Sequence, residues 1–221
     1  RYLAGPPEIR ASAIRAAWRD PAIAGLIAVR GGYGSAQVLP LLEVGDAQRA
    51  RKPFVGYSDL TALLTFLTVQ CGMVAFHGPM LAGRLGRGGE GYDRESLLRA
   101  LCSLDPIGEL TAPGLETVRP GSARGPLFGG TLTQLVASLG TPYAFAPPAG
   151  HVLFVDEVGE RPYRLDRMVT QLRQAGLLAP IQEGGDAEIG HLRTAPCVHQ
   201  DVARLQVAMH DPMSVGVHQR V

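Results

Sequence analysis

The chain has 221 residues, of which 46% are hydrophobic and 19% charged, a balance that buries a sizeable core and excludes a disordered protein. Its 21 basic and 20 acidic residues leave a net charge of +1 with no block of one sign, so there is no electrostatic footprint for nucleic acid or an anionic membrane. Cys71, Cys102 and Cys197 are odd in number and far apart, with no CxxC pair. That argues against a disulfide framework or a zinc site and points to a reducing compartment.

RYLAGPPEIRASAIRAAW opens at Arg1 as if in mid-domain, with no charged-then-apolar leader, and reads as a fragment. Ile9, Ala13, Ile14, Ala17 and Trp18 recur at helical spacing, which predicts a helix over 8–19. After Pro21, AIAGLIAV (22–29) reads as a buried strand that runs into Arg30-Gly31-Gly32-Tyr33-Gly34-Ser35, with a short helix to about Leu42. The next strand is expected at 53–57 and the next helix at 59–70. The apolar stretch 60–76 is broken by threonines, Gln70 and Gly72, so it reads as a buried helix and not a membrane span. Strand, glycine-rich turn and helix, repeated, is the pattern of a parallel α/β sheet. Ligands of such sheets sit at the carboxyl ends of the strands.

RLGRGGEGYDRES (84–96) is a polar loop before a helix at about 94–103. Proline, glycine and threonine dominate from Pro106 to Pro126, as in a linker or a run of short strands. The expected organisation is therefore an N-terminal domain over 1–105, a linker over 106–126 and a C-terminal domain over 127–221. GGTLTQLVASLG (129–140) reads as a helix ended by Gly140. HVLFV (151–155) reads as a strand that ends in Asp156-Glu157-Val158-Gly159-Glu160. The helix that follows carries Leu165, Met168, Val169, Leu172 and Gly176 on one face. Beyond Pro180 the periodicity fails: residues 180–221 offer at most one weak strand and are expected to pack poorly.

Glycines after a strand let backbone approach a ligand closely and aim N–H groups at an anion. Gly31-Gly32-Tyr33-Gly34 lacks the third glycine and the later acid of a dinucleotide site, and no GxxxxGK[ST] loop exists. The turn is either a tight connection or a cradle for an oxyanion or carboxylate. Ser58 is either the cap of the helix it precedes or a nucleophile on a strand-to-helix turn. GYSDL has the first glycine of GxSxG and not the second. A nucleophilic serine needs a base, and the base an orienting acid. Asp59 cannot be that base merely by adjacency. Asp156 and Glu157 end a strand, so one of them can face the sheet's rim; the plainer role for both, and for Glu160, is support of the next helix. Arg161, Arg164 and Arg167 read as surface partners of those acids. His77, His151, His191, His199, His210 and His218 show no metal-ligand spacing and each reads as structural or solvated. No metal site and no cofactor are expected.

RGGYG (30–34), GYSDLTALL (56–64), HGPML (77–81), FGGTLTQLVASLGTPY (128–143) and LFVDEVGERPYRLDRMVTQLRQAGLL (153–178) together resemble the LD-carboxypeptidase family. These serine peptidases include muramoyltetrapeptide carboxypeptidases and microcin C immunity peptidases, and the stretches follow the family's order over roughly residues 2–178. The resemblance implies a Rossmann-like parallel-sheet N-terminal domain, here without its first strand, and a smaller, truncated α/β C-terminal domain. It implies Ser58 as nucleophile and Asp156 as triad acid where the family has glutamate, with Glu157 beside it as a substitute. An oxyanion hole would come from the N–H of Asp59 and one from the Gly31-Gly32 turn, here Gly32. Thr131 stands where the family has asparagine. The implied reaction is metal-free hydrolysis of the bond to the terminal D-amino acid of a murein tetrapeptide, in cytoplasmic cell-wall recycling, by a homodimer. The alternatives are a peptidase that detoxifies a peptidyl-nucleotide antibiotic, or a non-catalytic remnant that binds a ligand. Neither nucleic acid nor membrane is an implied partner.

The family's histidine lies in a GH-containing segment near the end of the second domain, and nothing after residue 178 resembles it. His210 and His218 fall near the right distance. The chain as given is therefore expected to hydrolyse murein tetrapeptide no faster than its Ser58→Ala variant. The Ser58 oxygen is expected within about 5 Å of a backbone N–H from residues 31–34, the space one oxyanion fills. Asp156 is expected to face the same cleft, with Glu157 turned to the surface or to the helix over 162–175, because successive strand residues point to opposite faces.

Overall fold

Helix α1 (Pro7–Arg19) starts on a proline, whose missing N–H costs nothing in a first turn, and carries Glu8 near its start and Arg19 near its end, both matched to the helix dipole. The structure is a computed structural model that describes residues 3–110, 115–117, 121–178 and 215–217. The strand expected over 22–29 is confined to β1 (Leu26–Ile27). Asp20 is the cause: its carboxylate accepts the N–H of Ala22 at 2.9 Å and its carbonyl that of Ile23, which turns the chain before it can extend. A 3-10 turn over Ser35–Leu41 and helix α2 (Val44–Ala50) follow, then β2 (Phe54–Gly56). A short 3-10 turn (Ser58–Leu60) leads into α3 (Thr61–Thr65). The helix widens to end at Gln70, where the N–H of Cys71 reaches back five residues to Phe66. Next come β3 (Phe76–His77) and α4 (Arg94–Cys102), capped by Asp93 on the N–H of Ser96 at 2.9 Å.

These first strands form one parallel sheet in the order β1-β2-β3, with Leu26 opposite Phe54, Val55 opposite Phe76 and Gly56 opposite His77. β2 is central and buried along its length. Its neighbouring residues serve opposite faces. Phe54 joins a core with Trp18, Leu39, Ala47, Leu63 and Leu67, and Val55 packs with Phe76 and Ala100. Helices thus cover both faces, and the protein is α/β.

The remaining elements are β4 (Ala123–Gly125), β5 (Leu127–Thr131), α5 (Leu132–Ser138), β6 (Val152–Asp156), α6 (Pro162–Gln174) and β7 (Val215–Val217). β4 pairs antiparallel with β7, and β5 pairs parallel with β6 from Leu127–Val152 to Thr131–Asp156. The helix expected over 129–140 starts only at Leu132, because its first residues are strand. Gly129 and Gly130 have φ of 153° and 149°. A Cβ on Gly129 would lie 1.8 Å from the carbonyl oxygen of Phe154, and one on Gly130 2.5 Å from Thr61. The glycine pair is where β5 presses against β6 and α3, and not a helix start. Apart from β7, the expectation for residues 180–221 lies outside the described residues.

An ionic cluster around one buried carboxylate fastens α1 to α2. Asp46, with 7% of its side chain exposed, accepts from Arg19 at 2.6 Å and from Arg49. The hydrogen bond from Arg19 chiefly, and that from Arg49, hold its carboxyl below the ordinary value of 3.8 against the opposing effect of burial. A depressed folded-state pKa stabilises above the unfolded value and is lost as pH falls through the folded one. Asp46→Asn is therefore expected to lower the Tm at pH 7. The gap from wild type should close as pH drops below the ordinary carboxylate value, which a series of thermal melts checks.

Candidate active site

Parallel pairing brings the carboxyl ends of β1, β2 and β3 to one rim. The turn after β2 displays Ser58 with φ of +63°; among the described residues only Arg51 is another non-glycine in that region. The left-handed conformation costs an L-residue about 1–2 kcal/mol. Tyr57 before it is extended, and neither Tyr57 nor Leu60 provides a side-chain cap for the helical turns that follow.

The glycine turn after β1 closes on this serine. A Cβ built on Gly31 would lie 3.0 Å from Ser58 Cβ, 3.1 Å from Ser58 Oγ and 3.4 Å from Met80 Cε, while one on Gly32 would meet nothing within 4 Å. Buried Asp59 fastens the two turns. Its carboxylate accepts the N–H of Ser35 at 2.9 Å, and the Ser35 hydroxyl donates to its carbonyl.

The second sheet ends at the same place. Thr131 and Asp156 are opposite one another in the last register of β5 and β6. The Thr131 hydroxyl donates to Asp156 Oδ1 at 2.8 Å, and its N–H donates to Thr61 Oγ1 at 3.1 Å. Thr61, fully buried, is three residues after Ser58. Asp156 Oδ2 lies 3.9 Å from Nε2 of His77, which ends β3. His77 is itself buried, 4.9 Å edge-on to the Phe154 ring and 6.0 Å from that of Tyr57.

Glu157 goes elsewhere. One of its oxygens accepts the N–H of Thr133 at 2.8 Å and the Thr133 hydroxyl at 2.6 Å, so it closes the first turn of α5. That corrects the expectation that it faces the surface or the helix over 162–175. An unfilled N–H at a helix start attracts a carboxylate more strongly than open solvent does. His151 is turned to the carbonyl of Pro148 at 2.9 Å and packs near Phe128 and Phe145. His210 and His218 lie outside the described residues. Among the described residues, no three or more His, Cys, Asp or Glu side chains gather as metal ligands would.

The sequence reading passed over His77 and Thr131 as partners of Asp156. The signal for His77 was its place at the head of HGPML, directly after a buried phenylalanine. A strand of two residues, however, has no alternation to read.

An α/β protein with a strained serine at the rim of a parallel sheet is the class these features define. Residues 1–78 match the LD-carboxypeptidase N-terminal domain and residues 124–182 the LD-carboxypeptidase C-terminal domain; the chain belongs to the LD-carboxypeptidase family. A protein of Streptomyces coelicolor is 41% identical over 179 residues, which are 80% of this chain and 57% of that one. The murein tetrapeptide carboxypeptidase of Pseudomonas aeruginosa is 37% identical over 184 residues, 79% of this chain and 59% of the relative. The crystal structure of muramoyltetrapeptide carboxypeptidase from Oxalobacter formigenes superposes with a TM-score of 0.71 at 31% identity, over 80% of this chain and 60% of that one. The chain thus spans less than two thirds of each relative's length.

Proposed function

We propose that this chain carries the nucleophile and acid of a serine-type LD-carboxypeptidase acting on the terminal D-amino acid of a murein tetrapeptide. The observation that carries the reading is Ser58 in a left-handed strand-to-helix turn, held against Gly31. The murein tetrapeptide activity in the name of the Pseudomonas relative supports the substrate class. Ser58 Oγ attacks the carbonyl carbon of the L-configured residue as a base takes its proton. The oxyanion is held by the N–H groups of Asp59 and Gly32, each worth about 3–4 kcal/mol. The C–N bond then breaks, the proton passes to the leaving nitrogen, the D-amino acid departs, and water hydrolyses the acyl-serine. Asp156, fixed by Thr131, orients the base. The same reading takes 1–105 as nucleophile domain and 127–221 as acid domain, joined by 106–126. It places the work in the cytoplasm, in a homodimer. No helix among the described residues is long and apolar enough to cross a membrane.

The test measures D-alanine release from murein tetrapeptide by the chain, with and without added imidazole to stand in for the base. Release is expected only with imidazole, and Ser58→Ala should lower it by roughly a thousandfold or more. Ser58-dependent release without imidazole supports the nucleophile equally, and its loss in His210→Ala or His218→Ala names the base. No release in any condition, or release that Ser58→Ala leaves unchanged, overturns the proposal. An acyl-sulfamoyl adenylate run in parallel separates the antibiotic-detoxifying alternative.

A further inference from the structure

We infer that His77 is a positioning residue for Asp156, an inference that rests on the reading of Asp156 as the site acid. Only 13% of the Asp156 side chain is exposed, and the imidazole of His77 only 6%. A carboxylate so enclosed keeps its charge only where each oxygen has a favourable neighbour. Oδ1 has the Thr131 hydroxyl at 2.8 Å. Oδ2 faces Nε2 of His77 at 3.9 Å, beyond a direct hydrogen bond, so the contact is an ion pair when the imidazole is protonated. Burial of both groups strengthens such a pair, and the edge-on ring of Phe154 walls one side of the imidazole.

The pair also bridges the two sheets. His77 ends β3, opposite Gly56 and two residues from Ser58 along the neighbouring strand, whereas Asp156 ends β6 in the other sheet. Thr131 holds the acid within its own sheet. Thr131 also reaches Thr61, three residues after Ser58, and His77 is the second link, from the acid to β3 of the sheet that leads to Ser58. The other titratable side chains nearby are Tyr57, whose ring flanks His77, and Glu157, which is committed to Thr133.

The test is an NMR titration of the carbon-13-labelled imidazoles in the full chain. It needs no turnover, so it stands apart from the carboxypeptidase reading. Asp156→Asn is expected to lower the titration midpoint of His77 by about one pH unit or more, because an opposite charge within about 4–6 Å favours the imidazolium. Glu157→Gln should leave it in place. A His77 midpoint unmoved by Asp156→Asn, or moved as far by Glu157→Gln, overturns the inference. Where imidazole-supported release is measurable, His77→Leu should lower kcat by up to about a hundredfold through misplacement of the acid, with KM little changed. His77→Gln, which keeps a polar side chain but cannot carry the imidazolium charge, should lose nearly as much as His77→Leu. A loss in His77→Leu that His77→Gln does not share would reduce His77 to packing. Coupling without any Ser58-dependent release would leave the pair standing and sink the carboxypeptidase reading alone.

Discussion

Gly129→Val is expected to prevent the second half of the protein from folding. Any Cβ at this position lies 1.8 Å from the carbonyl oxygen of Phe154 and 2.7 Å from that residue's ring. The carbonyl is backbone in the partner strand, so it cannot swing aside as a side chain would. Relief requires β5 and β6 to part, and their pairing from Leu127–Val152 to Thr131–Asp156 is what sets Thr131 beside Asp156. The φ of 153° adds a strain of about 1–3 kcal/mol for any L-residue. Strain and clash together correspond to a fall in Tm of about 10 °C or more, or to loss of a cooperative transition. Gly140→Ala is the matched control: its φ of 78° is also left-handed, but a Cβ there meets nothing within 4 Å. It should cost only about 1–2 kcal/mol. A Gly129→Val protein that melts with wild type would mean that β5 does not lie on β6 as observed.

The same glycine pair shows where sequence reasoning fails. Glycine before a threonine and an apolar periodic run reads as the head of a helix, and TLTQLVASLG does become one. But glycine is also what a strand needs where another backbone or a buried side chain comes too close for a Cβ, and sequence alone does not separate the two demands. Helix α2 escaped notice for a different reason. It has seven residues with a glycine among them, and it is held by tertiary contacts, the burial of Ala47 and the pairing of Asp46 with Arg19, rather than by a periodic face. The parallel α/β character is legible because strand, glycine turn and helix occur twice in succession, and a crossover long enough to return a strand parallel to the last is usually helical.

The candidate site divides along the same line. Ser58 and Asp156 are candidates because one follows and the other ends an apolar strand, where side chains reach a rim, and only the family resemblance favours them over helix caps. Their partners are not so marked. Asp59 reads from the sequence only as an adjacent acid and an N–H donor, yet its carboxylate ties Ser35 and so the glycine turn to the serine turn, a contact across 24 residues of chain. His77 reaches Asp156 across a still longer interval. One histidine in an apolar setting carries no spacing that betrays its partner; only the meeting of the two sheets reveals it.

Gly31→Ala is expected to disable Ser58 while the fold survives. Unlike Gly129, Gly31 does not lie among the positive-φ glycines, so its backbone accepts an alanine without strain. The difficulty is space. The new methyl would sit 3.0 Å from Ser58 Cβ and 3.1 Å from Ser58 Oγ, inside the roughly 3.5–4.0 Å of ordinary carbon contact. Met80 Cε, at 3.4 Å, is the end of a flexible side chain and can yield. Ser58 Cβ cannot retreat as easily, because its backbone is set in the left-handed turn and the next residue, Asp59, is bound to Ser35. The accessible relief is rotation of the serine hydroxyl, together with a displacement of the glycine turn by some tenths of an ångström. Both move the Ser58 oxygen relative to the N–H groups proposed to hold the oxyanion. A misplacement approaching 1 Å can cost about a hundredfold in rate. Imidazole-supported D-alanine release should therefore fall by about ten- to a hundredfold in Gly31→Ala, with a Tm within a few degrees of wild type by the scaling for a chain of this size. Release at the wild-type rate would show that the space beside Gly31 is not where Ser58 reacts. A collapse of Tm with the rate per folded molecule unchanged would make this close approach a matter of packing alone.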